Sequence, residues 1–450
     1  MPGRLIIALS LALATAGATA AEIPGADRIE SVTLDNGLRI IVWPDDDIPN
    51  VVLYNWVRVG SRNESPGITG LAHFFEHMMF NGTTTRAPGE FDREMEAAGG
   101  SNNAFTSDDV TVYMDWMPRS ALETVLKLEG DRLANLSFDP EVVASERGVV
   151  GSERRLNVDD NNSSRLMEQV QATAYLAHPY GNPTIGWPSD IESWSIDDLK
   201  AFFSRHYAPN NCTLIVSGAV DPAQFIALAR EHLGDLPSQP DPEPIRTREP
   251  EQQGERRILI ETEAQTPLLQ VAYHSLSADD PAGPAWDLLL RMLVAGESSR
   301  LHRSLVEEHK VAIDVEYYWH EGLDPGLTWF FLTLPADADL ARAEQVLTDE
   351  LQRFATSGPS ESELAKARNL ALAEHWRGLA TIDGRAMALG MSEVLRGDYR
   401  KLFDAPAAFE RVTAEEVRGL AARIFRRGNR TVGMLRPPTD QAGAQPEAGT

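Results

Sequence analysis

Cysteine is nearly missing from this chain of 450 residues: Cys212 is the only one. An intrachain disulfide is therefore excluded, and no covalent staple supports the fold whatever the redox compartment. A single Cys inside the apolar run Cys212-Thr213-Leu214-Ile215-Val216 reads as a core residue rather than a nucleophile. Positive charge is also scarce. Lys and Arg number 41 against 67 Asp and Glu, a net charge of −26 at pH 7. A surface of that sign excludes nucleic acid as a partner. It reads first as a solvated face and only second as a means of drawing in basic peptides. Long hydrophobic runs are absent beyond the N-terminus. There, Arg4, the apolar stretch Leu5 to Ala16 and the small-x-small site Ala18-Thr19-Ala20 read as an export signal over 1–20, cleaved after Ala20. The stretch is too short to span a bilayer. The expectation is a periplasmic protein with no membrane span once the signal is removed.

A hydrophobic content of 42% and a charged content of 24% describe an ordinary globular protein, and the length calls for two domains. Leu236-Pro237-Ser238-Gln239-Pro240-Asp241-Pro242-Glu243-Pro244 has Pro at nearly alternating positions and reads as an extended linker. The expected division is a first domain at 21–235, a linker at 236–256, a second domain at 257–436 and a disordered tail at 437–450. The two domains look like repeats. Ser195, followed by acids at 197 and 198, starts a helix that leads through Pro209-Asn210-Asn211 into the strand from Thr213. A constant shift of 218 residues finds Thr413, acids at 415 and 416, a turn at Gly428-Asn429 and a strand from Thr431. Leu38–Val42 and Val51–Val59 read as strands, with Asn36-Gly37 as a turn before the first. The expected fold class is α+β: two similar domains, each a largely antiparallel sheet with helices packed on one face.

His73-Phe74-Phe75-Glu76-His77 lies in a stretch that suits a helix. Residues four apart on a helix lie one above the other, so His73 and His77 can point two imidazoles at one ion, with Glu76 beside them. Nitrogen ligands at roughly 2.0–2.1 Å suit zinc. A carboxylate next to a zinc-bound water is placed to take its proton. Two packed core histidines are the plain alternative, but a buried Glu between them would need a partner. A catalytic zinc site needs a third protein ligand. The helical segment from Glu141 to Asn157 offers Glu146 and Glu153 on one face, two turns apart. A solvated helix face is the competing reading. Gly148 and Gly151 cost that helix roughly 1 kcal/mol each against Ala and suggest close approach of another element.

These residues resemble the inverted-zincin peptidases that include pitrilysin, insulin-degrading enzyme and mitochondrial processing peptidase. The resemblance covers essentially the whole chain after the signal. His73, Glu76 and His77 match the family motif, preceded as in the family by Gly70-Leu71-Ala72. It implies one zinc ion per chain, held by His73, His77 and Glu153, which stands 76 residues past His77 where the family places its third ligand. Glu76 would be the catalytic base. Glu146, seven residues before Glu153, would support the site from behind. Gly99-Gly100-Ser101-Asn102-Asn103-Ala104-Phe105-Thr106 looks like the family segment that holds a substrate peptide by β-augmentation, which nominates Asn103, Ala104 and Phe105. His178-Pro179-Tyr180-Gly181 and Gly218 fit the family pattern as structural features. The fold implied is half of a clamshell.

One departure matters. Active relatives carry an Arg and, seven residues later, a Tyr in the other half, and both support the tetrahedral intermediate. Here those places read Val306 and Ile313, and Arg300 matches a different, structural Arg. The second half also lacks a His-x-x-Glu-His motif. The expectation is a zinc metalloendopeptidase acting on peptides or small unfolded proteins, as the zinc-bearing subunit of a heterodimer whose homologous partner supplies the Arg/Tyr pair. The alternatives are a monomer or homodimer in which Tyr317, Tyr318 or His320 substitutes, and a non-catalytic scaffold subunit of the same fold.

Overall fold

The computed structural model describes Ile23 and residues 25–438. The signal at 1–20 and all of the tail beyond Pro438 lie outside the described residues. Among the described residues no helix is long and apolar enough to cross a membrane.

Eleven strands among the described residues form two sheets. The first contains β1 (Glu30–Thr33), β2 (Arg39–Pro44), β3 (Asn50–Val57), β4 (Ser101–Thr106), β5 (Thr111–Pro118) and β6 (Cys212–Gly218), in the order β1-β2-β6-β3-β5-β4. The second contains β7 (Arg256–Glu261), β8 (Leu268–His274), β9 (Asp314–Trp319), β10 (Leu327–Thr333) and β11 (Arg430–Arg436), in the order β7-β11-β8-β10-β9. With β1 set aside, the two orders are the same. Each sheet has one parallel pair, β2 with β6 and β7 with β11, and all other pairs are antiparallel. The expected α+β class with two similar, largely antiparallel sheets is what the chain forms.

The repeat extends to single hydrogen bonds. Ser195 with Asp198 and Thr413 with Glu416 make matching capping boxes. Asn211 Nδ2 donates to His206 O (2.8 Å) and Arg58 O (3.2 Å), and Asn429 Nδ2 donates to Ile424 O (2.9 Å) and His274 O (2.9 Å). Each Asn thus ties the end of a helix to the end of the neighbouring strand. The hairpin β1–β2 turns through Gly37, whose φ of 86° is in the left-handed region that glycine tolerates. Gly218 closes β6 at φ 121°, where a Cβ would come within 2.2 Å of Asn50 O.

Each sheet packs its own helices on one face, giving two separate cores around Phe74, Phe75 and Phe225 and around Trp286, Phe330 and Phe354. The other face is covered reciprocally. Helix Ile382–Gly390 from the second half seats Ala386 and Leu389 against Trp43, Tyr54 and Trp56 of the first sheet. Helix Asn162–Ala174 from the first half seats Leu166 and Val170 against Ala272, Trp329 and Leu435 of the second sheet. The exchange needs two glycines. A Cβ at Gly390 would lie 2.1 Å from the Trp56 ring, and one at Gly433 would lie 2.3 Å from Val170. A polar seam joins the halves beside this contact. Asp109 accepts from Arg62 (2.9 Å) and Tyr180 (2.7 Å), and Leu323 and Asp324 of the second half donate backbone N–H groups to Asp109 and Tyr180. This is where the His178-Pro179-Tyr180-Gly181 turn acts.

Residues 237–253 carry no helix or strand. They are nevertheless pinned: Glu249 accepts the consecutive backbone N–H groups of Leu176, Ala177 and His178 at 2.7–3.0 Å. Cys212 is buried in the first core, where burial pushes its thiol up to about 12. It is a packed, unreactive thiol, as its surroundings in the sequence imply.

Candidate metal centre

The helix Leu71–Met78 buries Leu71, Phe74, Phe75 and Met78 in the first core and leaves His73, Glu76 and His77 on the opposite side. Phe75 stacks on Phe202 at 5.8 Å, which fixes the helix in rotation. The helix start has no side-chain cap of its own. The buried carboxylate of Glu64 takes that place and accepts the N–H groups of Gly70 and Ala72, both at 2.7 Å. Asp190 secures the preceding turn through Gly67 N (3.0 Å), Thr69 N (3.2 Å) and Thr69 Oγ1 (2.7 Å). Burial raises the Glu64 carboxyl well above its usual range although both N–H groups favour the anion. At the helix end, Tyr113 donates to Phe75 O (3.1 Å) and Asn81 to His77 O (3.1 Å).

A second helix, Pro140–Arg154, crosses this one and brings two carboxylates. Asp139 caps its start, with Pro140 in the first turn. Its far end is locked by Arg154, buried and bonded to both oxygens of Glu168 (2.8 and 2.9 Å) and to Gly186 O (2.7 Å). Gly148 and Gly151 do not mark a close approach, contrary to expectation. Nothing lies within 4 Å of a Cβ built at either, because both sit on the open side of the helix.

Glu153 Oε2 lies 3.6 Å from His73 Nε2 and 3.4 Å from His77 Nε2. The three groups each offer one ligand atom, and all of these atoms lie within 4.8 Å of one another. Tetrahedral zinc with bonds near 2.0–2.1 Å wants ligand atoms roughly 3.3–3.5 Å apart, so the donor set fits that ion. Glu146 reaches the other nitrogen of the second His, with Nδ1 to Oε1 at 2.7 Å. That contact orients the ring so that Nε2 faces Glu153. His73 has no such support: its Nδ1 is buried without a partner among the described residues, and packing alone orients its ring.

The electrostatics divide the two imidazoles. Burial, helped by the neighbouring His77, pushes His73 down to about 4, so its lone pair is free of a proton at neutral pH. Burial also pulls on His77, but the Glu146 hydrogen bond and charge, with Glu153 and Glu76, carry it above its ordinary value. The Glu146 carboxyl is correspondingly lowered by that hydrogen bond. Burial raises Glu76, against the opposing pull of Thr106 and His77, which favours a group able to accept a proton.

β4, which carries Asn103, Ala104 and Phe105, pairs with β5 on one side and among the described residues has no strand on the other. Its free edge can take up an extended peptide. Phe105 turns its ring onto Trp56 at 6.2 Å, so what it presents along the edge is backbone. Asn103 is exposed, and its Oδ1 accepts from Ala104 N (2.9 Å). In the second half Val306 packs on the second core, while Ile313 is 58% exposed. Neither side chain can donate a hydrogen bond. Tyr317 also packs on that core, and His320 faces Asp108 (3.3 Å) in the seam between the halves. Arg300 holds Glu363 (2.6 and 2.9 Å) and Gly358 O, a structural role.

Two family models match this chain: "Insulinase (Peptidase family M16)" over residues 43–187, which include both crossing helices, and "Peptidase M16 inactive domain" over 193–371. The zinc protease PqqE of Helicobacter pylori is 33% identical, over 69% of this chain and 70% of its own. The chain belongs to the M16 peptidase family. An uncharacterized zinc protease of Mycobacterium tuberculosis is 30% identical over 88% of this chain and 90% of its own. Among solved structures, a protease from Helicobacter pylori superposes with a TM-score of 0.87 at 26% identity, covering 91% of this chain and 99% of that one. Relatives in the M16 family thus carry the name zinc protease, in keeping with the donor set of this centre. Glu64 and Asp190 lay beyond sequence reasoning, since neither sits at a spacing that marks a cap.

Proposed function

We propose that this chain is a zinc metalloendopeptidase, acting as the zinc-bearing subunit of a two-chain peptidase. The observation that carries this reading is the meeting of Glu153 Oε2 with both His73 Nε2 and His77 Nε2 next to Glu76. His73, His77 and Glu153 would hold the ion, and zinc there would supply Lewis acidity, lowering the pKa of water toward about 7. Glu76 takes the proton from the attacking water and returns it to the leaving amine. Glu146 keeps His77 turned to the site. The backbone of Asn103, Ala104 and Phe105 aligns the substrate as an added strand on β4.

Val306 and Ile313 support the need for a partner, because this chain offers no donor at those places for the developing oxyanion. A homologous chain carrying Arg and Tyr would complete the site. The sequence features of 1–20 support export to the periplasm, where the substrates would be peptides and small unfolded proteins.

The test is Glu76→Gln. Zinc content by metal analysis should stay at one per chain while peptide hydrolysis falls by about 10²–10⁴-fold. Turnover at the wild-type rate would refute the assignment, and a folded wild-type protein that takes up no zinc would favour a scaffold role. Strong activity of the chain alone, with no second chain present, would remove the need for the partner.

A further inference from the structure

We propose that Thr106 is the positioning residue of the base: its hydroxyl holds the Glu76 carboxylate in the orientation that proton transfer needs. The proposal rests on the peptidase reading above. Thr106 Oγ1 donates to Glu76 Oε2 at 2.7 Å, and it is the one side chain that hydrogen-bonds Glu76 among the described residues. A distance of 2.7 Å to a carboxylate is in the range of short, charge-assisted hydrogen bonds.

The direction of that hydrogen bond follows from chemistry, since an ionised carboxylate only accepts. Thr106 is paired in register with Thr111 of β5, and the two hydroxyls are 3.5 Å apart. Thr111 is fully buried and donates its own hydrogen to Val59 O at 2.9 Å. Thr111 can then only accept from Thr106, and at 3.5 Å it competes poorly with the Glu76 carboxylate at 2.7 Å, which takes the single O–H of Thr106.

A group that positions another must itself be held. Thr106 ends β4 at a hairpin tip that is fastened on several sides. Ser107 N donates to Val110 O (2.8 Å), Ser61 N to Ser107 O (3.3 Å) and Arg62 N to Asp108 O (3.0 Å). Ser61 Oγ donates to Asp108 Oδ1 (2.7 Å). Gly60 permits this approach, since a Cβ there would lie 2.4 Å from Ser107 O. β-branching at Thr106 adds stiffness at χ1, which a Ser in its place would lack.

The placement also links two tasks. Thr106 belongs to the strand whose free edge would receive the peptide, and it touches the base that would act on that peptide. A peptide laid along β4 is therefore registered against the element that orients Glu76.

The experiment compares Thr106→Val and Thr106→Ser with wild type, each zinc-loaded and assayed with the partner chain if activity requires one. Thr106→Val should lower kcat by about 10–100-fold, the worth of a hydrogen bond to a charged group, with KM and zinc content held. Thr106→Ser should recover most of the loss. In a Glu76→Gln background, Thr106→Val should cost nothing further. Turnover within twofold of wild type, a loss confined to KM, failure of Ser to rescue, or full additivity with Glu76→Gln would each overturn the proposal. A crystal structure of zinc-loaded Thr106→Val should show the Glu76 carboxylate in a changed rotamer. An unchanged rotamer would overturn the proposal whether or not the wild-type protein hydrolyses peptides. Absence of any hydrolysis by wild type would count against the peptidase reading alone.

Discussion

The two halves share strand order, pairing direction, a capping box and a buried Asn at the same step, yet among the described residues only one of them assembles a cluster able to hold a metal. In the first half, the segment after β3 becomes a helix with His73, Glu76 and His77 on its open side. In the second, the segment after β8 becomes Gly283–Val294, whose side chains Trp286, Leu289, Leu290 and Leu293 are buried. A shared strand order and pairing thus do not by themselves make a site. Function follows from which side of one helix is left polar and from what crosses it. The second half instead serves the first as a cover, and receives a cover in return.

That reciprocity gives the sharpest way to break the comparison. Gly390→Ala drives a methyl into the Trp56 ring, and Gly433→Ala drives one into Val170 and Leu166. Each should cost about 1–3 kcal/mol of stability by overpacking, measured by denaturant unfolding. Similar losses would show that both crossings carry equal weight. A loss at one alone would show that the exchange is lopsided.

A second measurement contrasts the halves through the metal. Glu146→Gln should weaken zinc binding by about 10–100-fold, because a neutral amide replaces the carboxylate that supports the His77 ring. It should also change the pH dependence. Glu146 helps hold His77 above its ordinary 6.5, so in the wild type protons compete with the metal from above that value downward. Without Glu146 that competition should begin at a lower pH. Zinc titrations at several pH values check both statements, and an onset that does not move would contradict the assigned cause.

A further pair of variants tests the repeat itself. Asn211→Ala and Asn429→Ala each strip two backbone carbonyls of a donor. Each should cost about 1–3 kcal/mol, and the two costs should agree closely if the halves are built alike.

Much of the fold was legible because its signals are local. The 218-residue shift aligned Ser195 with Thr413 and Asn211 with Asn429, and both pairs occupy equivalent places in the structure. The strand β1 was not foreseen, since Glu30–Thr33 is short and three of its four residues are polar. The two glycines at 148 and 151 misled, because a helical glycine has the same cost whether it faces a neighbour or open space. At the site, helical spacing alone set His73, Glu76 and His77 on one side. Spacing also placed Glu146 and Glu153 on a common face, but it could not say how each would meet the histidines.

By itself, then, the sequence determined what depends on neighbours a turn or two away: the histidine pair, the caps, the strand edges and the duplication. Only the tertiary structure decided that Glu153 meets both Nε2 atoms while Glu146 takes Nδ1 of His77. It alone set Glu64 under the start of the helix, Thr106 against Glu76, and each half's helix on the other half's sheet. The physical reason is that these contacts join residues far apart in the chain. Their distances are fixed by the packing of two whole cores, where a methyl group more or less is felt.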